Sequence, residues 1–276
     1  MQTPENNPPD LPLLDQPREP VAPKAIAPTW HTIVLVVGIL AVSIHGASRF
    51  SAEHGPLNRM ATYGFTAAME AGLLVWVLVG LRLGKTSLRS LLGEFQFSFR
   101  SVVMDLGFAL AFWICSLMVL GTVGLAWSGV EAVVTHPPVV TQAAGKPFAP
   151  SPSQQQALRA VEQLAPSNGK EIAAWTLLCL LVGFAEETVF RGYLQRQFIG
   201  WARGGVVAGV LLSAAVFGGA HAYEGVRSMF LLTVFGALFG LLALVRRSLR
   251  AGMFAHSWHD LVVGLALALL KSQHVI

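Results

Sequence analysis

Two glutamates and an arginine interrupt an apolar part of the second half of the chain. Glu186 and Glu187 follow the apolar run 172–184, and Arg191 comes four residues after Glu187. A helix needs about 20 apolar residues to cross a bilayer, so this run should continue through the charged residues to about residue 199. Each charged group near the bilayer centre costs about 2.5 to 3.5 kcal/mol, and such groups are typical of functional sites. The sequence therefore predicts a functional site inside the membrane.

Helical geometry gives these three charged residues different surroundings. Glu187 and Arg191 are four residues apart and share a helix face, which predicts a supporting ion pair. Glu186 points about 100° away and is left for another helix, a water molecule or a metal ion. A solvated helix end with an ordinary ion pair is the alternative interpretation of the same residues.

Histidines occur at the ends of two later apolar segments. His221 follows Phe217 by four residues, and two glycines between them would allow close helix packing. In the last apolar segment, His256, His259 and Asp260 fall on one helix face at positions i, i+3 and i+4. An interfacial position for His221, and a hydrogen-bonded first helical turn for the other three, are the alternative interpretations.

Together these residues could polarise a water molecule against an amide bond. Glu186 would act as the general base, and a neutral histidine would share the water. Glu186, His221 and His256 would also suit a divalent metal such as Zn2+, which binds two histidines and one carboxylate and activates a water at the open position. A metal-free pair of Glu and His is equally compatible with these residues.

Three spaced motifs on separate apolar segments resemble those of one protein family. In chain order the motifs are Glu186-Glu-x-x-x-Arg191, Phe217-x-x-x-His221 and His256-x-x-x-Asp260. They are similar to the motifs of the CPBP family of intramembrane endopeptidases, which includes the type II CAAX prenyl proteases, also called Rce1-like, and the Abi proteins. The resemblance covers about residues 172–270.

The resemblance implies hydrolysis of peptide bonds within the membrane, in CAAX-like or bacteriocin-like peptides. By matching motif positions, Glu186 and His221 would activate the water and His256 would assist them. Asp260 stands where the family often has Asn, at a position that would help to stabilise the oxyanion. An ionised Asp cannot donate a hydrogen bond, so Asp260 would have to be protonated, or act on a metal or on His256.

The amino-acid composition indicates a polytopic membrane protein. Of the 276 residues, 54% are hydrophobic and only 12% are charged. The formal net charge of +4 comes from basic residues dispersed between apolar segments. The expected partners are therefore the lipid bilayer and a membrane-associated peptide or protein substrate, and no nucleic acid.

The apolar segments predict an all-α bundle of about seven transmembrane spans without strands. The predicted spans are 30–47, 61–81, 102–127, 172–199, 205–221, 226–245 and 252–270. The predicted domains are a disordered, proline-rich tail (1–29), N-terminal transmembrane helices (30–128), a polar loop (129–171) and the catalytic core (172–270). The distribution of Lys and Arg predicts a cytoplasmic N-terminus in the inner cell membrane.

Two features are not explained by the predicted spans alone: polar residues in the first two spans, and the depth of His221. His45 and Glu70 are single polar residues in the first two predicted spans, where hydrogen bonds between helices are their expected role. At a rise of 1.5 Å per residue, Glu186 and His256 should lie at similar depths, whereas His221 should lie at another. Tilt, a later membrane entry or a helix break at the two glycines before His221 would remove this difference.

Two other functions remain open from the sequence. The first is a catalytically silent immunity or binding protein with the same fold, which the Asp at position 260 would suit. The second is a small transporter whose charged residues line a translocation path. A transporter of this kind predicts paired broken helices and an internal repeat, and neither is visible in the sequence.

Overall fold

The computed structural model describes residues 24–52, 58–93, 98–135 and 151–273. Its α-helices, in chain order, are α1 Thr29–Ala52, α2 Arg59–Leu83, α3 Leu88–Leu92, α4 Phe99–Thr135, α5 Pro152–Leu164, α6 Gly169–Glu186, α7 Gln195–Trp201, α8 Val206–Gly219, α9 Val226–Arg246 and α10 Arg250–Ser272. The described residues form no strand beyond one isolated bridge between Gly93 and Ser248. The predicted all-α bundle is confirmed. Predictions for residues 1–23 and 136–150 lie outside the described residues.

Six stretches are long and apolar enough to cross a membrane, and they make the chain an integral membrane protein. They are Thr29–Ala47, Arg59–Leu83, Phe99–Val134, Gly169–Trp201, Val226–Arg246 and Arg250–Ser272. The remaining predicted span, 205–221, corresponds to the shorter apolar helix α8, which ends at Gly219. Gly218 and Gly219 favour this early end because glycine is a poor helix former. At 14 residues α8 matches the predicted span in position, but it is not among the described helices that are long enough to cross a membrane.

Part of the predicted polar loop 129–171 is helical. Helix α4 continues to Thr135, and α5 begins after Ser151. The Ser151 hydroxyl accepts a hydrogen bond from the backbone N–H of Gln154, and the Gln154 side chain accepts one from the backbone N–H of Ser151. This capping box, with a proline in the first turn of α5, explains why a helix starts here. The predicted polar segment 129–171 therefore contains a helix of its own.

The charged helix of the fourth span is continuous, as the sequence predicts. Helix α6 passes directly into a π-helical segment, Glu187–Leu194, which passes directly into α7. All eight residues of the π-helical segment are buried. π-Helical turns are rare and occur frequently at functional sites.

Helix α1 is attached to the π-helical segment through polar side chains. The Tyr193 hydroxyl lies 2.9 Å from both His31 Nδ1 and Thr32 Oγ1. The imidazole ring of His31 also stacks on Trp76 of α2, with 4.6 Å between ring centres. These contacts, which are buried among apolar residues, fix the two N-terminal helices against the segment that carries the charges.

Helices α4, α9 and α10 are joined by one carboxylate. Asp105 of α4 accepts hydrogen bonds from Arg250 of α10 and from Arg246 of α9, the latter at 2.8 Å. The Asp105 side chain is almost fully buried. A buried carboxylate shared by two guanidinium groups holds the three helices in one arrangement.

Glycines allow the closest helix contacts around the charged segment. A Cβ atom at Gly183 of α6 would lie 2.2 Å from Ser257 Oγ and 2.8 Å from the Ser257 backbone nitrogen on α10. A Cβ atom at Gly218 of α8 would lie 2.4 Å from the Met229 carbonyl oxygen on α9. Small residues at helix crossings are typical of membrane bundles because they let the backbones approach each other.

We expect Gly183→Ala to separate α6 from α10, since the added methyl group would meet backbone atoms. Overpacking of this kind destabilises proteins by about 1 to 3 kcal/mol, and thermal unfolding in detergent measures the loss. Gly107→Ala on α4 is the matched control, because a Cβ atom there meets no described atom within 4 Å. Equal unfolding temperatures for the two variants would contradict the close contact at Gly183.

Candidate active site

His256 of α10 lies among three carboxyl groups. Its Nδ1 is 3.0 Å from Glu187 Oε1, and its Nε2 is 3.4 Å from Glu186 Oε2 and 3.8 Å from Asp260 Oδ2. An ionised carboxylate can only accept, so Nδ1 donates its hydrogen to Glu187. The other ring nitrogen faces Glu186 and Asp260. The motif residues Glu186, His256 and Asp260, which the sequence predicts at one site, are thus in contact.

The expected ion pair between Glu187 and Arg191 is present. Arg191 Nη1 lies 3.1 Å from Glu187 Oε1, and each side chain is only 1% exposed. The guanidinium also lies over the rings of Phe217 and Phe239, 4.3 Å and 5.0 Å from their centres. Cation–π contacts of this kind stabilise a desolvated guanidinium. The pair is thus surrounded by α8, α9 and α10.

Glu187 makes a second contact that helical spacing did not predict. It was assigned to Arg191 alone, but the same Oε1 atom accepts the hydrogen of His256. Space for Glu187 is provided by Gly252 of α10, where a Cβ atom would lie 2.9 Å from Glu187 Oε2. Glu187 therefore orients the histidine ring through Nδ1 and leaves Nε2 directed at Glu186.

His221 lies in the turn between α8 and α9. Its Nδ1 is 2.9 Å from the Phe217 carbonyl oxygen, which can only accept, so Nδ1 donates. In the neutral ring, Nε2 is then an acceptor. The difference in depth expected between His221 and Glu186 does not separate them, because both side chains line the same cavity.

The cavity has a volume of about 790 Å3. Its polar lining includes Glu70, Glu186, His221, Tyr223, Glu224, His256, His259 and Asp260. Most of the remaining lining is apolar, and much of it comes from α1 and α2, including Ile39 and Leu73. The N-terminal helices thus form walls of the same cavity, which the sequence motifs did not indicate.

Two polar residues at this cavity lie outside the helical spans. Burial raises the pKa of Glu224, although His221, Tyr223 and Ser228 act in the opposite direction. Burial also raises the pKa of the Tyr223 hydroxyl well above its ordinary value. Both groups therefore favour their neutral forms in this turn.

His259 lines the cavity and is also hydrogen-bonded to α4. The indole N–H of Trp113 on α4 donates to His259 Nδ1 at 3.3 Å. The imidazole ring also packs against Phe235, with 5.0 Å between ring centres. His259 therefore shares a helix face with His256 and Asp260, as predicted, and ties α10 to α4.

The predicted metal set was Glu186, His221 and His256. Within the described part of the chain, no group of three or more His, Cys, Asp or Glu side chains is arranged to hold a metal ion. His256 already has three carboxyl neighbours, with Nδ1 bound to Glu187 and Nε2 facing Glu186 and Asp260. The present arrangement does not fit a metal, so the metal stays a prediction and no reaction step is derived through one.

Comparison with known proteins supports the sequence motifs. Residues 168–262 match the model of the family described as type II CAAX prenyl endopeptidase, Rce1-like. The resemblance stated above is confirmed for this segment, which contains Glu186, His221, His256 and Asp260. Neither a curated protein nor a solved structure matches the chain. Because the matching family is one of proteases, the match supports a membrane protease.

We expect Arg191→Leu to destabilise the protein by about 3 to 5 kcal/mol, because it leaves Glu187 buried without its cation. Glu186→Gln should change stability by less than about 1 kcal/mol, since Glu186 Oε2 has no hydrogen-bond partner among the described residues. Thermal unfolding of both variants in detergent measures the difference. Similar losses in the two variants would show that Glu186 is structural as well.

Proposed function

We propose that this chain, with its Rce1-like segment 168–262, hydrolyses peptide bonds of membrane-associated peptides with a water molecule activated by Glu186. The observation that supports this most is the position of the Glu186 carboxyl group. It lies 3.4 Å from His256 and shares one cavity with His221 and Asp260. A carboxylate next to a histidine in a mostly apolar cavity is suited to general base catalysis.

Glu186 is better suited than Glu187 to take the proton of the water. Glu187 is occupied by Arg191 and His256, and its side chain is almost fully buried. Glu186 is the more exposed of the two, at 12% of its side chain. Its Oε2 has no hydrogen-bond partner in the described residues. Glu186 can therefore bind a water molecule, whereas Glu187 supports the site.

The reaction then needs only these side chains and water. Glu186 takes a proton from the water as the water oxygen attacks the carbonyl carbon of the peptide bond. His221, through the Nε2 that its bond to Phe217 leaves free, accepts a hydrogen bond from the same water. When the C–N bond breaks, Glu186 returns the proton to the leaving nitrogen. The products are one new carboxyl group and one new amino group.

His256 and Asp260 act on this reaction together. Asp260 Oδ2 lies 3.8 Å from His256 Nε2, so an ionised Asp260 pairs with a His256 ring that is protonated on both nitrogens. The ionised Asp260 cannot itself donate a hydrogen bond to the oxyanion. This contact favours one of the roles considered for Asp260, orientation of the histidine. His256 in turn keeps the carboxyl group of Glu186 directed at the cavity.

The substrate is a peptide that reaches the site from the membrane. The mostly apolar cavity walls suit apolar side chains, as in CAAX-like or bacteriocin-like peptides. We also infer that the protein lies in the inner cell membrane with a cytoplasmic N-terminus, from the distribution of Lys and Arg.

We expect Glu186→Gln to reduce peptide cleavage at least a hundredfold, because general base catalysis contributes about 10² to 10⁴ in rate. Wild type and variant are purified in detergent and given a pool of membrane-delivered peptides, and new termini are detected by mass spectrometry. His259→Gln is a second variant. Cleavage at the wild-type rate in this variant would show that a cavity histidine away from Glu186 is not essential.

Two further results decide between mechanisms and functions. Loss of cleavage in a chelator, restored by Zn2+, would establish a metal-bound water in place of a metal-free Glu and His pair. Identical peptide profiles for wild type and Glu186→Gln would contradict the protease and favour a silent immunity or binding protein.

A further inference from the structure

Glu70 is a buried carboxyl group that the reaction above does not use. It lies in the middle of α2 and is 3% exposed. Its Oε2 is buried and has no hydrogen-bond partner in the described residues, so the hydrogen bond between helices that the sequence predicts is not found there. Glu70 nevertheless lines the same cavity as Glu186 and His256. A buried polar atom without a partner needs a physical explanation.

The other carboxyl groups of the cavity each have a neighbour that balances them. Glu186 and Asp260 lie within 4 Å of His256. Glu224 interacts with Tyr223 and Ser228. No ion pair or hydrogen bond of the Glu70 side chain is found in the described part of the chain. Glu70 therefore differs from the other cavity carboxyl groups in having no polar neighbour of this kind among the described residues.

These surroundings hold Glu70 in its neutral form. A charged carboxylate without a cation is unfavourable at membrane depth. A neutral carboxyl group carries an O–H donor that a carboxylate does not have. Glu70 thus offers the cavity a hydrogen-bond donor.

A peptide entering this cavity brings the complementary group. Its backbone carbonyl oxygens lose their water when they enter an apolar space, and each then requires a donor. A carboxyl group kept neutral by an apolar site can supply such a donor during catalysis. Asp260, next to His256, is less able to do so as a carboxylate.

We propose that Glu70, in its neutral form, contacts the substrate and donates a hydrogen bond to a backbone carbonyl oxygen of the bound peptide. This inference rests on the proposed protease function. It assigns a substrate contact to α2, which lies outside the segment 168–262 that matches the protease family.

Two substitutions of Glu70 test the proposed donor. Glu70→Gln keeps a hydrogen-bond donor and should retain kcat/KM within about threefold. Glu70→Leu removes the donor and should lower kcat/KM at least tenfold. Its unfolding temperature in detergent should not fall, because Leu removes a buried polar atom that has no partner in the free protein.

Glu162→Gln and Glu162→Leu are the matched controls. Glu162 of α5 pairs with Lys271 at 3.3 Å and does not line the cavity. Both control variants should cleave like wild type, which shows that loss of an acidic group elsewhere does not affect the reaction. The peptide used for all variants is one whose cleavage by wild type is lost in Glu186→Gln.

The outcomes separate the two proposals. If wild type and Glu186→Gln give identical profiles, the protease function fails and the role of Glu70 fails with it. If wild type cleaves and Glu70→Leu cleaves equally well, only the role of Glu70 is rejected. A loss in Glu70→Gln as large as in Glu70→Leu would show that a carboxylate is needed, as for a cationic substrate group. A lower unfolding temperature in Glu70→Leu would show a structural role instead.

Discussion

The candidate site depends on the burial of one ion pair at membrane depth. Removing Glu187 and Arg191 from water is costly, and their mutual attraction offsets this cost only if other groups also satisfy them. The structure supplies these groups from separate helices: the aromatic ring of Phe217 on α8, the ring of Phe239 on α9, and His256 on α10. The pair therefore fixes the positions of α8, α9 and α10 around the fourth span. Through His256 it also fixes the imidazole ring that faces Glu186.

Much of the architecture could be predicted because apolar runs and polar boundaries are local properties. Six predicted spans coincide with long apolar helices, and the fourth continues through its charges because a shorter helix could not cross the bilayer. The ion pair of Glu187 with Arg191 followed from helical spacing alone. The three motifs also brought Glu186, His256 and Asp260 to one site, because motif residues carry the chemistry that a family shares.

Other features depend on contacts that a sequence does not contain. The π-helical segment was not predicted, since apolar periodicity was interpreted with α-helical geometry throughout. The second contact of Glu187, with His256, needs the distance between two helices. The isolation of Glu70 is the clearest case, because the lack of a partner can be recognised only when all described neighbours are in place. A glutamate in an apolar helix was a signal, but not one that identified its surroundings.

The shortness of α8 bears on how water reaches a site inside a bilayer. Its 14 residues span about 21 Å, whereas the hydrocarbon core is about 30 Å thick. A helix with this hydrophobic mismatch is accommodated by local thinning of the lipid or by entry of polar groups beside it. The turn that follows α8 carries His221 and the half-buried acidic residue Glu224. Thinning of the lipid beside α8 would bring water close to the candidate cavity, because the turn that ends this short helix also lines that cavity.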